Sequence, residues 1–170
     1  MKKALLSAVA LVLFVFAVDA QDLDLKGGLA FGTEIDKLGI NLGAKYGVTP
    51  EIDVEAGLTF FFPESTSFTD PFSGTTTTIK TGFWMFDING LYNFQLDSKF
   101  RAYPLAGLNF STGTVKIDNN RNSNTEVGLN IGGGAAYAVS DKLDAFLELR
   151  YILGKADQGI IGFGVYYALN

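Results

Sequence analysis

Two residue types are missing altogether. The 170-residue chain has no cysteine and no histidine. Without cysteine there is no disulfide framework, no thiolate metal site and no thiol to acylate. Without histidine the usual general base, the commonest metal ligand and the physiological-pH switch are gone. No Ser-His-Asp or Cys-His arrangement can be assembled, so most enzyme classes are excluded before any motif is read. Basic charge is also scarce, with 13 Lys and Arg against 18 Asp and Glu. That balance excludes an ordinary nucleic-acid binder. Proline occurs four times, and the 20 glycines follow no Gly-X-Y period, so the chain reads as neither collagen-like nor disordered.

Long apolar runs are scarce too. The longest covers Ala4 to Ala17, broken only by Ser7, after Lys2 and Lys3 and before Val18-Asp19-Ala20. This is the layout of a secretory signal peptide, and the run is too short for a spanning helix, which needs about 20 residues. Residues 1–20 are therefore expected to be a cleaved signal and residues 21–170 the mature domain. After Gln21 no segment is apolar enough for a membrane helix.

What the mature chain does have is period two. Eight segments alternate between an apolar face and a second face: 23–31, 38–46, 52–62, 84–94, 100–110, 127–137, 143–151 and 161–169. No position of the first face is Asp, Glu, Lys, Arg, Asn, Gln, Ser or Thr. The second face holds many glycines and Asp24, Lys26, Lys45, Asp53, Glu55, Asp87, Arg101, Glu126, Asp144, Glu148 and Arg150.

Volume decides which face points inward. An eight-stranded barrel has an interior just wide enough to be filled by side chains. The apolar face would overfill it, whereas glycines interspersed with long charged side chains suit a narrow lumen. The apolar face then contacts hydrocarbon, where an open strand edge is untenable and the sheet must close. Aromatic residues recur near both segment ends. Tyr46, Tyr92, Phe94, Phe100, Tyr137 and Tyr167 mark one rim; Phe31, Phe62, Trp84, Phe110 and Tyr151 mark the other, as interfacial girdles do. The expected fold is all-β: an eight-stranded antiparallel up-and-down transmembrane barrel. A soluble barrel with the apolar face inside is the alternative.

Connections alternate in length. Residues 47–51, 95–99 and 139–142 are short turns. Residues 33–37, 63–81, 111–124 and 154–158 connect the other ends, with the second and third long. Short turns belong on the periplasmic side, so both termini are expected there. Within the long connections, Thr75 to Thr78 reads as strand continuing beyond the membrane, and Asp118 to Asn124 as an exposed polar loop tip.

On these features the chain resembles the small eight-stranded outer-membrane barrels of Gram-negative bacteria, the family of outer membrane proteins A and X. The resemblance implies a C-terminal assembly signal, matched here by Gly164, Tyr167 and Leu169, although Asn170 stands where the family ends in an aromatic. It implies outer-membrane lipid, the barrel-assembly machinery and periplasmic chaperones as partners, and a monomer. No cofactor, metal site or nucleic-acid partner is expected. The second-face charges are expected to form a buried ion-pair network, with Arg101 and Arg150 pairing with acids on neighbouring strands, Asp87 and Glu148 first. The excess of acids leaves some carboxylates without a basic partner. The functional expectation is a non-enzymatic, porin-like barrel protein of the Gram-negative envelope with a plugged lumen, contributing to envelope integrity and presenting loops at the cell surface. A narrow conduit for small apolar solutes and a soluble periplasmic ligand-binding barrel are the alternatives.

Overall fold

Each alternating segment forms a strand, because period-two patterning gives an extended chain one uniform face for each environment. The computed structural model describes residues 23–69, 71, 72, 74, 76–117 and 120–169. The signal segment, Thr75, Asp118, Asn119 and Asn170 lie outside these. The strands are β1 (Leu23–Gly32), β2 (Lys37–Gly47), β3 (Ile52–Thr69), β4 (Thr76–Tyr92), β5 (Phe94–Gln95), β6 (Phe100–Ile117), β7 (Asn120–Ser140), β8 (Leu143–Gly154) and β9 (Gln158–Ala168). Neighbours pair antiparallel in the order β4-β3-β2-β1-β9-β8-β7-β6-β5, and β4 also pairs with β6, which closes the ring.

Among the described residues, nine strands make eight staves. β5 continues β4 after an interruption at Asn93, whose amide donates to Glu51 O (2.7 Å) and whose side chain donates to Asp53 (2.8 Å). Hydrogen-bonding toward β3 at this residue breaks the ladder toward β6, where the alternation alone reads one unbroken segment.

The apolar face is outside. Leu42, Phe60, Val127, Leu129, Ile131, Leu147, Leu149 and Phe163 are exposed, while Glu55, Asp87 and Glu148 are buried. A soluble barrel would show the reverse.

Two hairpins overturn the expected connection lengths. Only residues 70–75 separate β3 from β4, and only residues 118 and 119 separate β6 from β7. Most of what reads as loop is strand, including Asn120 to Asn124. Apolar alternation stops there because neither face meets hydrocarbon, so period two loses its signal. Pairing continues through polar cross-strand contacts: Ser67–Thr78 (3.1 Å), Thr69–Thr76 (3.0 Å), Thr112–Thr125 (2.9 Å) and Thr114–Ser123 (2.9 Å). The β3–β4 register shifts between Phe61 and Glu64. Pro63, which lacks an N–H to donate, falls in that bulge.

Candidate functional site

Inward positions on the staves stack into layers along the lumen. At the short-turn end, Lys45 Nζ lies 2.8 Å from Asp24 and 3.2 Å from Asp53, and Arg101 Nη2 lies 2.9 Å from Asp144. These residues line an open vestibule of about 660 Å³ that reaches inward to Tyr166.

Next comes an aromatic layer of Tyr103, Phe146 and Tyr166 with Leu91, Leu105 and Ala136. The Phe146 and Tyr166 rings sit 4.7 Å apart. Gly134 makes room here: an added Cβ would lie 2.6 Å from the Tyr103 ring and hydroxyl. Lys26 threads this layer, with Nζ 4.7 Å from the Phe146 centroid.

The central layer is ionic. Lys26 Nζ donates to Glu55 Oε1 (2.8 Å) and Glu148 Oε2 (3.0 Å). Tyr166 donates to Glu55 Oε2 (2.8 Å). Arg150 Nη2 lies 2.8 Å from Asp87 Oδ2, and Nη1 lies 3.6 Å from Glu148 Oε1. Asn109 and Asn130 both donate to Asp87 Oδ1 (2.7 and 2.9 Å), and Asn130 also donates to Asn89 Oδ1 (2.8 Å). A second apolar layer, Ala30, Phe61, Met85, Ile152 and Ile160, covers the network toward the long-hairpin end.

Three expectations change. Arg101 does not meet Asp87 or Glu148. It pairs with Asp144, the two reaching over β7 from β6 and β8. Arg150 does meet the two acids named for it, Glu148 on its own strand and Asp87 across the lumen on β4, because the bore is narrow enough for its side chain to span. Glu126 is no part of the network. It lies opposite Ser111, beyond Gly128, where β7–β8 pairing ends, so water reaches it and its nearest cation is Lys155 at 3.9 Å. Nor, among the described residues, is any inward acid left without a cation. Asp24, Asp53, Glu55, Asp87, Asp144 and Glu148 all have one within 4 Å, since Lys26, Lys45 and Arg150 each serve two.

Charge alone also missed much of the lumen. Asn89, Asn109, Asn130, Tyr103 and Tyr166 complete the polar network, and Phe61, Met85, Leu91 and Phe146 cap it. All of them occupy second-face positions, so parity was the usable signal. Of the residues matched to an assembly signal, Gly164 faces Gly28 at the β1–β9 seam, and Tyr167 and Leu169 are exposed at the short-turn end. Among the described residues no cluster of three or more acids could hold a metal ion.

A closed ring with an apolar exterior and a charged, packed interior is the geometry of a membrane-spanning barrel. A family model described as outer membrane protein beta-barrel domain matches residues 6–168. The chain belongs to this family. Solved structures agree on the fold. The N-terminal β-barrel domain of Pseudomonas aeruginosa OprF is 17% identical, with 86% of this chain and 96% of that chain covered and a TM-score of 0.61. A major outer membrane protein from Thermus thermophilus is 15% identical, covering 86% and 98%, with a TM-score of 0.63. Neisserial surface protein A is 18% identical, covering 87% and 95%, with a TM-score of 0.59. No curated protein matches. The protein is an outer-membrane β-barrel, and its lipid-facing staves cross the bilayer.

Proposed function

We propose that this outer-membrane barrel is a non-enzymatic envelope protein whose lumen is plugged. It contributes to envelope integrity and holds its two long hairpins at the cell surface, with both termini periplasmic. One observation carries this reading: the Glu55–Lys26–Glu148–Arg150–Asp87 chain of contacts crosses the bore between two apolar layers. A permeating ion would have to strip charges already paired to one another, a large cost in a dry interior. Gly164, Tyr167 and Leu169 serve in this reading as the strand the barrel-assembly machinery recognises, after periplasmic chaperones deliver the monomer.

Single-channel recording in planar bilayers tests the plug. The wild-type barrel should give no stable open level. A steady unit conductance would favour the conduit reading instead.

A further inference from the structure

The long hairpins form a four-stranded sheet beyond the ring, and one row of that sheet is unusual. Lys80 of β4 pairs in register with Lys116 of β6, and Lys116 pairs with Arg121 of β7. Directly opposed residues stand about 5 Å apart, so three cations lie side by side across three strands. Like charges directly opposite one another destabilise a sheet. All three side chains are exposed, and none forms an ion pair among the described residues. The nearby Glu64 belongs to the other face and is held by Lys37 at 3.0 Å.

Strand parity says where the row points. Lys80 shares the outward face of β4 with Trp84, Phe86 and Ile88, and the inward face holds Phe83, Met85 and Asp87. Outside Phe86, Phe110 and Val127 comes the row Trp84, Thr112 and Thr125, then Gly82, Thr114 and Ser123, then the cations. Lys80 lies four residue steps from Trp84, about 13 Å along the strand. The cations therefore continue the lipid-facing wall past its aromatic belt, at headgroup height, and point sideways toward surrounding lipid.

We propose that Lys80, Lys116 and Arg121 form a binding row for the phosphate groups of lipid in the outer leaflet. The proposal rests on the reading above that the long hairpins face outward. The chemistry fits: the row's own repulsion is relieved by an anion bridging it, and each cation near a charged lipid surface adds about fivefold to association.

Trp84 is the chain's one tryptophan and sits just below the row, so it reports on the lipid there. The full barrel is placed in phosphatidylcholine nanodiscs with diphosphoryl lipid A carrying a spin-labelled acyl chain. Quenching of Trp84 is then followed against lipid mole fraction. The wild type should associate roughly 100-fold more tightly than the K80Q/K116Q/R121Q variant, about fivefold for each cation, and its preference should fade in high salt. Lys116→Gln alone should weaken association about fivefold, which keeps the test decisive if the triple variant does not fold. Equal quenching of wild type and folded variant would overturn the proposal. So would complete release of the lipid by equimolar inositol hexakisphosphate, which would assign the row to a soluble polyanion. Nanodiscs expose both faces, so these outcomes do not depend on orientation. Labelling of intact cells decides orientation separately.

Discussion

Arg150 shows how much one residue can carry when it is buried. Its guanidinium serves Asp87 and Glu148 from opposite sides of the bore. Arg150→Met would leave both carboxylates short of a partner, and removing one member of a buried pair costs about 3–5 kcal/mol. Urea titration of the lipid-folded barrel should show a loss of that size. R150M/D87N should regain at least half of it, because asparagine removes the orphaned charge yet still accepts from Asn109 and Asn130. Glu34 makes the opposite case, at the surface. It lies in the β1–β2 turn beside Asp36, whose φ of 50° is the left-handed conformation aspartate tolerates. The Thr33 hydroxyl donates to its carboxylate, as does the Gly159 amide at 2.6 Å, tying the turn to β9. The Thr33 hydrogen bond, with help from the Gly159 amide, holds the Glu34 carboxyl below the usual glutamate range. A depressed value means the tie is present above the ordinary glutamate pKa and is lost as pH falls through the lowered one. An NMR titration should show Glu34 protonating last among the exposed glutamates, with Gly159 amide protection falling in step.

At the scale of one strand, depth in the membrane outweighs residue type. Ile88 and Ile79 both lie on β4 and both are exposed. Ile88 sits on the lipid-facing wall, paired with Ala56 and Leu108, while Ile79 sits beyond the ring, opposite Ile117. Lysine at Ile88 puts an ammonium in hydrocarbon and should cost about 2–4 kcal/mol. Lysine at Ile79 stays in water and should change stability by less than about 0.5 kcal/mol. Folding titrations into vesicles measure both. Equal costs would move the membrane boundary along β4. A lysine at the lumen-facing Asn89 is no gentle control, because Asn89 is buried beside Gly107, where even an added Cβ would clash with its backbone.

For the whole molecule the property to test is direction across the membrane. The native chain has no cysteine, so a single introduced thiol reports topology without background. Phe72, at the β3–β4 tip, is fully exposed, and Ser98 lies in a short turn. On intact cells a membrane-impermeant maleimide should label Phe72→Cys and spare Ser98→Cys. The reverse pattern would invert the barrel. Thiol labelling suits this barrel better than trypsin, since Lys80, Lys116 and Arg121 lie in paired strands rather than in open loops.

Alternation determined the class of fold and the parity of each stave, and the volume of the two faces determined which one turns to lipid. Those follow from local chemistry, because a strand's two faces are set by its own residues and by the environment each can tolerate. The inward placement of Lys26, Glu55, Asp87, Glu148 and Arg150 was legible for that reason. Their partners were not. Lys26 meets Glu148 over β9, and Arg150 meets Asp87 across the lumen, at heights set by strand register and ring closure, which no single segment encodes. The length of the hairpins was hidden as well, because period two disappears where neither face of Ser67, Thr78, Thr114 and Ser123 meets hydrocarbon. Lys80, Lys116 and Arg121 are scattered in sequence, and only the antiparallel register sets them in one row.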